Sequence, residues 1–152
     1  MLDILNRQRK VKVDVGALKP QLEAAMLAAG VSRKEVALTL VSDAAMRLLN
    51  LDWRGIDAPT DCLSFPAAEG EGGEHAGTVL GDVAISVETA LRQGREHAPA
   101  GTAGADALGH ELVVLFAHSL LHLMGYDHAE DRDARRMRAK ERALVQAVTG
   151  ID

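Results

Sequence analysis

The stretch HSLLHLMGYDH, residues 118–128, sets three histidines at 118, 122 and 128 around a glycine at 125. His118 and His122 stand four apart, which on a helix puts both imidazoles on one face, one turn from each other. A third ligand can reach the same ion only if the helix stops first. Gly125 suits that stop, because the residue just past a helix end often takes the left-handed conformation that glycine accepts without a Cβ penalty. Tyr126 and Asp127 then form a turn, and His128 returns to the site. Three neutral imidazoles suit Zn2+, and three protein ligands leave a fourth position for water, as in catalytic rather than structural zinc sites. Nickel or another divalent ion can occupy the same donors. A lone histidine on an apolar helix is usually a packed core residue, but packing does not explain three at this spacing around a helix-ending glycine.

The spacing HxxxHxxGxxH resembles the metzincin protease pattern at every position except one. Where those proteases carry a glutamate as general base, this chain has Ser119. Peptide hydrolysis therefore lacks its proton shuttle, whereas zinc alone still lowers the pKa of bound water toward neutrality. Phosphodiester cleavage, which needs charge stabilisation more than protonation of an amine, fits such a site. Asp127, beside the third ligand, is a candidate for orienting an imidazole or acting as base. It serves equally well as a residue that satisfies the backbone of the turn. His75 and His97 fall in loop-like segments and are read as solvent-facing, and His110, two turns before His118, as non-ligating.

The elements that must position these residues follow from periodicity and punctuation. KVKVDV (10–15) alternates and predicts a strand. Residues 17–29 predict a helix with Leu18, Leu22, Ala25, Met26 and Ala29 on one face and Gly30 as its stop. VALTLVS (36–42) is a second strand, and Asp43 can cap a helix carrying Ala44, Leu48 and Leu51. DCLSFP (61–66) is a short strand closed by a proline. Residues 67–77 have the glycine and acid content of a flexible loop. TVLGDVAIS (78–86) is a longer, central strand, 86–97 a helix, and 97–106 a link. A long helix, apolar on most sides and hence buried, runs from about 106 to Met124. A last amphipathic helix covers 129–148. The expected fold is α+β: one small mixed sheet of about four strands packed with helices, with the long helix carrying two of the three metal ligands. No repeat or composition break divides the chain, so residues 1–152 are expected to form one domain.

With 152 residues, 47% hydrophobic and 26% charged, the chain has the composition of an ordinary globular domain large enough to bury a core. No apolar run approaches the roughly 18 to 20 residues that span a bilayer. The first fifteen residues lack the apolar stretch and cleavage site of a signal peptide. The one cysteine, Cys62, forms no internal disulfide, and cytoplasm is the expected compartment. A net charge of −5 argues against a large nucleic-acid footprint. Two basic segments stand out nonetheless. Arg132, Arg135, Arg136, Arg138, Lys140 and Arg142 read as a solvated helix face, supported by pairs such as Asp131 with Arg135. Arg7, Arg9, Lys10 and Lys12, less balanced by acids, are a candidate phosphate-contacting edge.

LNLDWRGIDAPTDCLSFP (49–66) is the other unusual stretch: the single tryptophan and an arginine end a helix and lead through a proline-containing turn into a strand. Alone, Trp53 reads as core and Arg54 as surface. Together with HSLLHLMGYDH and LGDVAIS (80–86), the stretch resembles the YbeY family of bacterial endoribonucleases, over most of the chain and in the same segment order. The resemblance implies a zincin-like fold, metal ligation by His118, His122 and His128, and an essential role for Arg54. It implies single-stranded RNA as substrate, 3′-end maturation of small-subunit ribosomal RNA, ribosome quality control, and the small subunit with its assembly factors as partners, with neither DNA nor membrane involved. Two positions depart from the family pattern: Ser119 stands where a glycine is usual, and Trp53 where a tyrosine is frequent. The guanidinium fork of Arg54 matches two phosphate oxygens at once. A non-catalytic assembly factor with a structural metal, or another metal-dependent hydrolase, is the competing reading, and RNA cleavage with metal analysis separates them.

Overall fold

The computed structural model describes residues 1–67 and 77–150; His75 and most of the 67–77 segment lie outside the described residues. The strands are β1 (Leu2–Asn6), β2 (Glu35–Val41), β3 (Cys62–Pro66) and β4 (Val79–Ser86), and the helices are α1 (Val15–Ala28), α2 (Asp43–Arg54), α3 (Val87–His97), α4 (Gly104–Leu123) and α5 (Asp131–Thr149). The strands form one mixed sheet in the order β1-β2-β4-β3, with β1, β2 and β4 parallel and β3 antiparallel to β4. This is the α+β architecture the sequence predicts, with β4 internal.

Side-chain alternation divides the sheet into two faces. Leu38 and Leu40 of β2 and Val83 and Ile85 of β4 belong to the large core shared with α1 and α4. Val41 and Ala84 face the other way and pack with Leu63 and Met46, so α2 lies on the opposite face. On its far side α4 meets α5, where Ala117 and Leu121 pack with Met137, Leu144 and Val145. A helix held between a sheet and another helix must be apolar on most sides, and His110, His118 and His122 lie on the half-buried line that remains along α4. Each large side chain buried in this way contributes about 1.5–3 kcal/mol, and Phe116, Leu120 and Leu121 are all fully buried.

Two expectations are corrected. KVKVDV is not a strand; the strand that pairs with β2 at this edge of the sheet is Leu2–Asn6. Gln8, which is buried, explains the difference. Its side chain donates to the carbonyl of Val11 at 2.8 Å and accepts from the Val11 N–H at 3.0 Å, so an amide side chain supplies the partners that a neighbouring strand would. Val11 and Val13 still pack against the core, and that packing produced the alternation. Second, the cap of α2 is Ser42, whose hydroxyl accepts from Ala45 N at 3.2 Å. Asp43 sits in the first turn and takes hydrogen bonds from Ser86 and Thr89 at 2.5 and 2.6 Å and an ion pair from Arg92 at 2.9 Å. On α2 itself, Ala44, Leu48 and Leu51 face solvent, and the buried side is Met46 and Asn50.

The arginines of the second basic segment are exposed along α5, as expected of a solvated face. Among the described residues, no helix is long and apolar enough to cross a membrane.

Candidate metal centre and cleft

The end of α4 builds the site. Met124 is the last residue near helical geometry, and Gly125 follows at φ 95°. Gly125 N donates to the carbonyl of His122 at 3.0 Å and Tyr126 N to that of Leu121 at 2.9 Å. These two bonds are the Schellman pair that satisfies the last helical carbonyls and turns the chain back. The turn brings His128 beside His118 and His122, with ring centroids 6.2 and 5.2 Å away. One nitrogen from each of the three rings lies within 4.8 Å of the other two, an arrangement that could hold a metal ion. His110 lies earlier in α4, outside this group, and His97, largely exposed, approaches the buried Glu111 at 3.3 Å.

The donor set fits a cation. His118 Nδ1 is 2.9 Å from Glu141 Oε2. In the neutral ring that contact fixes the proton on Nδ1 and leaves the Nε2 lone pair free. That Nε2 stands 3.1 Å from His122 Nε2. Two ring nitrogens converge there with His128 beside them, and in the tautomers that leave both unprotonated a cation takes a lone pair from each. The hydrogen bond that His118 donates to Glu141 raises the histidine's pKa against the opposing effect of burial. Burial, then the charges of His118 and His128, push His122 down, so it presents the neutral ring that metals bind.

Gly81, within LGDVAIS, explains how the helix end comes so close to the sheet. A Cβ there would meet the carbonyl oxygen of Phe65 at 2.5 Å and Leu123 at 2.8 Å. Leu123 directly follows His122, so this close approach seats the site against β3 and β4. Ser64 adds a hydrogen bond to the carbonyl of Ser119 at 3.3 Å. The Ser119 hydroxyl is fully buried and makes no hydrogen bond of ordinary geometry. It lies against the Cys62 thiol, whose pKa burial pushes up to about 12 with Asp61 adding to the effect, so Cys62 remains a neutral thiol.

The three histidines open onto a cleft of about 470 Å³ whose walls include Arg54, Asp61, Ser64, Tyr126 and Asp127. Arg54 comes from α2, on the other face of the sheet, and reaches the cleft past edge strand β3. Its guanidinium lies 3.5 Å from the side-chain oxygen of Asn50, one turn back. Asn50 is buried and donates to the carbonyl of Ala58 at 2.8 Å, which folds the loop after α2 back beneath the arginine. Asp127 accepts from the Ala129 N–H at 3.4 Å, the turn-satisfying contact weighed for it. Trp53 is not core: it is 69% exposed.

Sequence reasoning missed Glu141 and Asn50. Asn50 carries a local signal, a polar side chain at a buried helix position four residues before Arg54. Glu141 carries none, being 23 residues from its histidine.

A family profile described as Endoribonuclease YbeY matches residues 3–149. The chain belongs to the endoribonuclease YbeY family. A relative named Endoribonuclease YbeY from Anaeromyxobacter sp. (strain Fw109-5) is 45% identical over 130 residues, 86% of this chain. The alignment spans 62% of that relative, so the chain matches about three-fifths of its length. The relative of the same name from Moorella thermoacetica is 42% identical, with 88% of this chain and 86% of the relative covered. The solution structure of TM1509 from Thermotoga maritima superposes with a TM-score of 0.64 at 30% identity, covering 99% of this chain and 90% of that one. Endoribonuclease YbeY is by name a hydrolase of phosphodiester bonds, and the three-histidine cluster is consistent with a metal-dependent member.

Proposed function

We propose that this chain is a zinc-dependent, single-strand-specific endoribonuclease that acts in 3′-end maturation of small-subunit ribosomal RNA and in ribosome quality control, in the cytoplasm. The observation that carries the reading is the placing of Arg54 and three convergent imidazoles on one open cleft. In this reading His118, His122 and His128 hold the ion, with Zn2+ favoured by an all-imidazole set, though nickel or another divalent ion can take the same donors. A bound ion supplies Lewis-acid activation of water at that point. Glu141 keeps His118 in the ligating tautomer. Arg54 binds a phosphate oxygen pair across the cleft and offsets the charge that builds on the phosphate. Asp127, which also lines the cleft, is the group offered to move a proton. The partners of this reading are single-stranded RNA and the small subunit with its assembly factors. The test is metal analysis of the purified chain alongside cleavage of a precursor carrying the 3′ end of small-subunit RNA. One zinc per chain with metal-dependent cleavage of the unpaired region is the expected result. A chain loaded with metal that leaves the RNA intact would overturn the nuclease reading.

A further inference from the structure

The chain holds a single tryptophan and few other aromatic residues. That tryptophan is 69% exposed at the end of α2, with Leu51 and Ile56 also more than 40% exposed. A large apolar ring left in water forgoes most of the burial that would stabilise it, and tryptophan, with its large rigid surface, is enriched where proteins meet their partners. Trp53 is nonetheless held in place. Its ring meets Phe65 edge-on, with centroids 5.3 Å apart and planes at 64°. Phe65 belongs to β3, and its neighbours Ser64 and Pro66 line the cleft. Arg54, the next residue in the chain, lines the same cleft. Trp53 thus lies just across edge strand β3 from the histidines, with its ring in contact with Phe65 and most of its surface open.

We infer that Trp53 is a stacking platform for a nucleobase of the single-stranded RNA, next to the phosphate that Arg54 holds. An RNA strand leaving the histidine cluster over the edge of β3 carries its phosphate past Arg54 and can lay the adjoining base on the indole. Every base offers a π face, so the platform tolerates sequence, and it requires an unpaired base, since a base inside a duplex has both faces covered. The platform therefore selects for single strands. This inference rests on the endoribonuclease reading and names how that site grips its substrate.

The single tryptophan makes the test direct. The full chain is titrated with a single-stranded oligoadenylate, with the same oligonucleotide in duplex form, and with an abasic ribose-phosphate oligomer, while indole emission is followed. Cleavage kinetics are then measured for the parent, Trp53→Phe and Trp53→Leu. The expected result is quenching by the single strand and neither by the duplex nor by the abasic chain. Trp53→Leu should raise KM by about 5- to 150-fold with kcat little changed, and Trp53→Phe should recover much of the loss. Equal quenching by the abasic chain, or an unchanged KM in Trp53→Leu while the parent cleaves, would overturn the platform and leave the nuclease reading intact. Failure of the parent to cleave any RNA would overturn that reading itself.

Discussion

The ends of α4 and α2 deliver polar side chains to one cleft, and a glycine at positive φ closes each, 95° at Gly125 and 71° at Gly55. Their surroundings differ. The end of α4 is packed between the sheet and α5, with Leu121 and Leu123 buried on either side of His122 and Glu141 bracing His118. The end of α2 is exposed, and Arg54 has a 3.5 Å contact to Asn50. A metal site needs fixed donors, because ligand geometry sets affinity and the wrong distance forfeits it. An arginine that must follow a flexible phosphate chain gains from a looser hold. On the proposed function, the difference in packing separates two tasks, a rigid end for the ion and an adaptable end for the substrate.

Breaking the rigid end should have the largest effect. His122→Ala is expected to abolish stoichiometric metal binding and cleavage together. It should also forfeit the stabilisation a bound ion gives by mass action, about 2.7 kcal/mol at a hundredfold excess over its dissociation constant. Metal analysis and thermal melting with and without chelator check this, and a variant that keeps its metal and its melting point would remove His122 from the ligand set.

Loosening the same end should cost less. Glu141→Ala leaves all three imidazoles but frees the tautomer of His118, so metal affinity should fall about 10- to 100-fold, as measured by competition with a chelator of known affinity. An unchanged affinity would mean that α5 braces the fold and not the ion. Gly125→Ala meets no steric obstacle, but it forces an L-residue into left-handed backbone at a cost of about 1–2 kcal/mol. Its melting temperature should drop even in chelator, and an undiminished value would show that the turn is not held as described.

An effect no larger, and one that fades in acid, concerns the anchored start of the looser helix. Burial alone would raise the pKa of Asp43, but hydrogen bonds from Ser86, Thr89 and Arg92 outweigh it and hold the carboxyl below its ordinary value. A folded-state pKa below the unfolded one contributes stability that is fully present above the ordinary carboxylate value and is lost as pH falls through the depressed one. Asp43→Asn should therefore destabilise by about 1–2 kcal/mol at neutral pH, with the gap to the parent closing in acid. A gap that stays constant down to pH 2 would show that the charge contributes nothing.

Much of this comparison was legible in the sequence because it is local. The spacing of His118, His122, Gly125 and His128 lies within one helix end, and the glycine turns it as the pattern predicts. Most element boundaries followed from periodicity for the same reason. What was not legible depends on contacts distant in sequence. The pairing of His118 with Glu141 needs the packing of α5 on α4. The buried face of α2 is not legible from its apolar residues, because Leu48 and Leu51 are exposed while Asn50, a polar residue, takes the buried position. KVKVDV read as a strand because its valines do reach the core, and only the buried amide of Gln8 removes it from the sheet.

The division of tasks is tested most directly by measuring metal content and the single-turnover rate of single-stranded RNA cleavage in Arg54→Ala and Arg54→Lys. Arg54 lines the cleft without belonging to the histidine cluster, so both variants should carry as much metal as the parent. Loss of one charge-stabilising donor should slow cleavage on the order of 10² to 10³ in the alanine variant. Lysine keeps the charge but loses the fork, so its rate should fall in between. Cleavage at the parent rate with slightly earlier melting would make Arg54 a helix-end cation worth about 0.3–1 kcal/mol and nothing more. Loss of metal along with activity would contradict the separation of the two ends.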